Sequence, residues 1–139
     1  MSLTASSRSI RGTLRQEIVI DGKHRLITDE PEEVGGEGSA PAPHELLPAA
    51  LASCVSTTLV MYANRKGWEL GDVSVDVDYD HRSTPRHCDI SINISGDLSS
   101  EQIAVLDKVA AACPVRRAIE TGIEFSEQIT GAPRAPIAA

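Results

Sequence analysis

The sequence predicts an α+β fold built on a mainly antiparallel sheet. Two runs of strict alternation, DVSVDVDYD at 72–80 and CDISINIS at 88–95, read as a hairpin with one wet face. Between 43 and 66 the pattern turns helical, with Leu47, Ala50, Leu51, Cys54, Thr58, Met61 and Arg65 recurring at helical spacing. An Asp21-Gly22 pair between LRQEIVI (14–20) and HRLIT (24–28) marks a second hairpin nearer the N-terminus.

The remaining elements follow in order. Residues 30–43, EPEEVGGEGSAPAP, lack apolar periodicity and form a long Gly/Pro/Glu-rich loop, either a binding segment or a plain connector. Pro43 suits the first turn of the long helix, whereas Pro48 lies inside it and is expected to kink its opening turns. Gly67 ends it, and its Ala- and Ser-rich middle lets another element approach closely. A second helix is expected from Ser99 to Ala112, with Gln102 in capping-box position and an apolar stripe of Ile103, Leu106, Val109 and Ala110. Cys113-Pro114 breaks it and opens a third helix, Val115 to Thr121, closed by Gly122. A last strand is expected at 123–129 (IEFSEQI). The order is β-β-α-β-β-α-α-β in one domain, 1–139, with 1–12 and 130–139 as flexible ends.

Composition narrows the function classes. The 139 residues carry a formal net charge of -7, and the longest basic cluster is Arg116-Arg117. Nucleic acid and anionic membrane surfaces are poor partners for such a chain. Its most apolar run, 46–61, is interrupted by Pro48, Ser53, Ser56, Thr57 and Thr58, and it falls short of the ~20 residues of a membrane span. No apolar leader opens the chain, so the expected compartment is the cytosol, where structural disulfides are rare. Three cysteines, an odd number, also argue against a disulfide framework.

Cys113 stands at the N-cap of the third helix, where free amides, the helix dipole and nearby Arg116 and Arg117 would stabilise a thiolate. The bland reading is a buried cysteine at a helix junction. Cys54 sits mid-helix among Ala, Leu and Ser, the setting of an ordinary core cysteine; reactivity there would need an imported cation and an opening to substrate. His81, His87 and Cys88 lack the spacings of a zinc site, and the two histidines are expected to be solvated on a polar turn. His44 and Glu45 open the long helix, where charged groups commonly serve helix-end electrostatics.

PHELLPAALASC at 43–54 and AACPVRRAI at 111–119 resemble the two signatures of the OsmC/Ohr family: a Pro-Glu-Leu opening followed by an Ala-rich helix to a cysteine, then a helix end followed by Cys-Pro. The likeness runs from about Leu14 to Ile129, and ITDEPEEVGGEGSAPAPHELL looks most like the YhfA-type branch. The resemblance implies an intertwined homodimer, with sheet wrapped on long central helices and active sites at the subunit interface. It implies a peroxidatic Cys54, a resolving Cys113, an Arg25 that activates Cys54, and a Glu45 that holds Arg25. It implies no bound cofactor or metal, an external dithiol as reductant and a small hydroperoxide as substrate. In the Ohr pattern the carboxylate directly follows the proline, where this chain has His44; one residue is about 100° around a helix.

Three functions therefore stand: a peroxidase acting on organic hydroperoxides and hydrogen peroxide, a non-catalytic relative binding a small ligand or partner in the dimer cleft, and a structural protein with buried thiols. The first requires two thiols close enough to bridge, with Arg25 near Cys54.

Overall fold

The computed structural model describes residues 2–131 and bears out the α+β class. β1 (Ala5–Ser9), β2 (Gln16–Ile20) and β3 (His24–Thr28) form one antiparallel sheet in that order. A single-turn helix at Glu32–Val34 and another at Pro43–Glu45 lead into α1 (Leu46–Lys66). β4 (Val73–Asp80) and β5 (His87–Ile94) make a separate antiparallel pair, followed by α2 (Ser100–Ala111) and α3 (Pro114–Thr121).

The β2–β3 hairpin turns at Asp21-Gly22, both at positive φ, as that pair predicts. β1 was not announced by the sequence. Its residues, ASSRS, are exposed throughout, so no apolar period marks it, and its pairing with β2 rests on backbone hydrogen bonds. β4 and β5 alternate as read. Val75 faces Ile92 and Val77 faces Ile90 on the inner side, while Asp78 and Asp89 meet on the outer.

α1 is the core helix. Leu51, Val55, Leu59 and Ala63, four residues apart on one face, are buried against β4, β5 and α2 together with Leu70, Leu106, Ala110 and Cys113. The expected stripe shares only Leu51 with this face; Met61 and Arg65 point outward and Cys54 is half-buried. With its preceding turn the helix runs 24 residues, Pro43–Lys66, and by length and composition it could cross a membrane. Its middle supplies the core instead. Pro48 is absorbed without interrupting α1, because it lies in the first turn, where the amide hydrogen it lacks has no intrahelical acceptor. Gly67 closes α1 at a φ of 72°, a conformation costly for a side chain.

Ser99 caps α2 as predicted: its side chain accepts from the Gln102 amide (3.1 Å), and the Gln102 side chain accepts from the Ser99 amide (2.8 Å). The expected strand at 123–129 does not form: 123–131 have no regular structure. Ile123, Phe125 and Ile129 alternate as a strand would, but all three are exposed, with no strand beside them among the described residues. Of the tail expected to fray, 132–139 lie outside the described residues.

The β1–β3 sheet makes no substantial contact with α1, α2 or α3. It is joined to the core through the 29–42 segment.

Candidate active site

The two signature cysteines converge inside the fold. Cys113 is fully buried at the start of α3, and its Sγ accepts from the Arg116 amide at 3.4 Å, the capping contact that the Cys-Pro helix start predicts. The Cys54 thiol, half-buried on α1, adjoins the Cys113 thiol and lies 4.0 Å from the Thr58 hydroxyl one turn on. Close packing of α3 against α1 brings together residues about 60 positions apart.

Burial decides the acidity of Cys113. It pushes the thiol above its ordinary value, opposed by the Arg116 amide and reinforced by Cys54 beside it. The helix-start stabilisation expected from sequence is therefore present but outweighed by desolvation.

Arg25 and Glu45 are not brought together within the chain. Arg25 lies exposed on β3 and forms an ion pair with Glu17 across the hairpin. Glu45 turns back on its own helix start, where Oε1 accepts from the Ala42 amide at 2.9 Å. The Cys54 thiol meets the Thr58 hydroxyl and adjoins Cys113, while Arg25 is held by Glu17.

Two clefts flank the start of α1. One, about 560 Å³, is lined by Glu30, Ala42, His44, Glu45, Tyr79 and His81. The His44 and His81 rings meet edge to face at 5.0 Å between centroids, and Tyr79 packs against His44 at 5.6 Å. The other, also about 560 Å³, has an apolar floor of Leu47, Leu51, Ile90 and Ile119 with Cys88 and Arg116 at its side. Neither is lined by Cys54 or Cys113. His87 pairs with Asp89 at 2.9 Å, and burial, then Asp89 and Asp78, push the Cys88 thiol up. Among the described residues no group of three or more His, Cys, Asp or Glu side chains is placed to hold a metal.

The long loop is ordered, and the residue that orders it was not singled out in the sequence. Asp29, buried at the end of β3, accepts from the Glu30 amide (2.8 Å), the Glu37 amide (3.2 Å), and the Ser39 amide (3.0 Å) and hydroxyl (2.7 Å). These bonds, those from Ser39 foremost, hold its carboxyl down to about 2. An aspartate at a strand end before a Gly/Ser-rich loop was the available signal.

Fold and site together define an α+β protein with two antiparallel sheets, one of them packed on a long helix, and a thiol pair where two helices meet. The OsmC-like protein family model matches residues 36–128, and the chain belongs to that family. Among solved structures, a Psychrobacter arcticus protein named for an osmotic stress induced and detoxification response is similar at 25% identity and a TM-score of 0.71, over 85% of this chain and 88% of that one. An organic hydroperoxide resistance protein OsmC from Legionella pneumophila is similar at 26% identity and a TM-score of 0.62, over 86% and 89%. An OsmC-like protein of Mycoplasma pneumoniae shares the fold at 16% identity and a TM-score of 0.70, over 86% and 88%. The comparison with curated proteins returned no match.

Proposed function

We propose that this chain is a thiol-dependent peroxidase that reduces organic hydroperoxides, and hydrogen peroxide secondarily, through Cys54 and Cys113. The observation that carries this reading is the meeting of the two thiols inside the fold. Their burial supports this division of roles. Cys113 is fully enclosed with its thiol pushed up, a poor first attacker, while Cys54 is partly open. The Cys54 thiolate attacks the distal oxygen of the hydroperoxide; the O–O bond breaks, the alkoxide takes a proton and leaves as alcohol, and Cys54 becomes a sulfenic acid. Cys113 then attacks that sulfur, forming the disulfide and releasing water. An external dithiol, itself oxidised to a disulfide, returns both thiols, so no bound cofactor is required.

The active form in this reading is a cytoplasmic homodimer. A helix apolar on several sides calls for cover on each of them, yet Leu47, Val60 and Met61 of α1 are exposed while the β1–β3 sheet stands off the helices of its own chain. A second copy covers that face and brings its Arg25 to the Glu45 cleft, where the guanidinium exchanges Glu17 for Glu45 and serves Cys54 as its cation.

Consumption of cumene hydroperoxide and hydrogen peroxide with dithiothreitol as reductant tests the reading. Wild type is expected to turn over and Cys54→Ser to lose turnover; equal rates would sink it. The pairing of Arg25 with Glu17 favours a second reading, a non-catalytic relative that takes a small ligand or partner in the cleft. In that case Arg25→Gln leaves the alkylation of Cys54 unchanged.

A further inference from the structure

We infer that Thr58 is a further catalytic residue of the proposed peroxidase: its hydroxyl donates a hydrogen bond to the oxygen that leaves when Cys54 cleaves a hydroperoxide. This role rests on the proposed function, in which the leaving oxygen carries off the charge of the thiolate.

Helical geometry puts the two side chains together. Thr58 lies four residues after Cys54 on α1, one turn on along the same face. Both are half-buried. The Thr58 hydroxyl stands 4.0 Å from the Cys54 sulfur. A threonine in a helix commonly turns its hydroxyl to a carbonyl of the preceding turn. Thr121 does so, donating to the Arg117 carbonyl at 2.7 Å. Thr58 holds its hydroxyl beside the sulfur, and its branched side chain has little freedom at χ1.

The same place is open to a substrate. At about 100° per residue, Cys54 and Thr58 fall on one flank of α1, beside the buried row of Leu51, Val55, Leu59 and Ala63. Leu47 and Met61 share that flank and are exposed. The fully buried Cys113 closes the inner side of the thiol. In the homodimer the flank faces the second copy, so the peroxide enters between the subunits with Thr58 on one wall. The hydroxyl belongs to the chain that carries the thiol, and it complements the cation that the second copy brings.

The chemistry calls for a donor at this spot. In the attacking geometry the distal oxygen of the peroxide lies about 3–3.5 Å from the sulfur. The proximal oxygen is one bond beyond, at much the same distance from the sulfur as the Thr58 hydroxyl, so the two meet as neighbours on the open side of the thiol. The thiolate attacks the distal oxygen, which keeps its hydrogen and becomes the sulfenic hydroxyl. The S–O bond forms, the O–O bond breaks, and its electron pair goes to the proximal oxygen. An alkoxide is a strong base and a poor leaving group. Thr58 donates to it as the charge develops, and solvent supplies the proton that completes the alcohol.

Two leaving groups test the role. Full-length chain in a Cys88→Ser background, so that the two signature thiols alone are counted, is reduced and then oxidised by cumene hydroperoxide or by peracetic acid. The rate is read as loss of free thiol. Cumene hydroperoxide expels an alkoxide, whereas peracetic acid expels a carboxylate, a weak base that needs no donor. Thr58→Val removes the hydroxyl at nearly constant volume. Its oxidation by cumene hydroperoxide is expected to slow about a hundredfold with peracetic acid little changed, and Thr58→Ser is expected to restore the rate. Equal slowing with both oxidants overturns the inference, since a hydroxyl that only tuned the thiol or the packing acts on both alike. An unchanged rate with cumene hydroperoxide overturns it too, as does a Thr58→Ser chain as slow as Thr58→Val. Thr58→Ala is judged the same way if Thr58→Val does not fold. In each of these cases the wild type still turns over and the proposed function stands. A wild type that leaves cumene hydroperoxide unconsumed, or consumes it equally fast after Cys54→Ser, overturns both.

Discussion

Oxidising the Cys54–Cys113 pair should raise the melting temperature of the protein by an amount that the chain length predicts. The perturbation is one equivalent of cumene hydroperoxide per chain, followed by removal of excess peroxide. A bridge between Cys54 and Cys113 closes a loop of about 60 residues, for which the chain-entropy relation gives about 4 kcal/mol at 25 °C. A domain of 139 residues has an unfolding entropy of about 0.3 kcal/mol/K near 60 °C. The quotient is a rise of about 14 °C. Little strain should offset it, because the two thiols already adjoin before the bond forms. The assay pairs a free-thiol count in denaturant with a thermal melt at fixed protein concentration. Loss of two thiols per chain with a melting point unchanged within 3 °C would refute the geometric reasoning. Retention of all three thiols after peroxide would refute the pairing itself. The same rise in Cys113→Ser would show that the stabilisation comes from another source.

The other expectations follow from single features. Asp29 has a carboxyl depressed to about 2 against about 3.9 in an unfolded chain, so the stability it contributes is complete above about pH 4 and lost as pH falls towards 2; urea midpoints measured from pH 5 to 2 should fall more steeply for wild type than for Asp29→Asn. Burial raises the Cys113 thiol, so mass-spectrometric mapping after brief iodoacetamide treatment at pH 7.5 should find Cys54 modified well before Cys113. Ser99→Ala removes the α2 capping box and should cost about 1 kcal/mol in urea unfolding, with peroxide turnover unchanged. Gly36→Ala sets a methyl group against the Glu30 carbonyl and should make the 30–41 loop the first site cut in limited proteolysis.

Local signals carried much of the fold. The alternation of 72–80 and 88–95 survives as β4 and β5 because one face of that pair meets a helix of the same chain. Ser99 with Gln102, Cys113 with Pro114, and Asp21 with Gly22 act within a few residues of themselves, and each forms as read. Where partner surface decided, the sequence reading failed. The segment 123–129 has a strand's alternation and, among the described residues, no strand beside it, while β1 has no alternation and pairs chiefly through its backbone. The buried face of α1 fell on Leu51, Val55, Leu59 and Ala63 because α1 is apolar on several sides, and only the packing of β4, β5 and α2 selects one of them.

What the sequence by itself determined is the order of elements from β2 to α3, the α+β class and the two cysteine signatures, all encoded in short-range pattern and turn chemistry. Tertiary structure alone decided that the two thiols meet, that burial outweighs the helix start at Cys113, that Arg25 rests on Glu17, and that Asp29 closes the long loop. The physical reason is range. Period, caps and turns depend on neighbours along the chain, whereas contact and desolvation depend on neighbours in space, which the chain acquires only by folding.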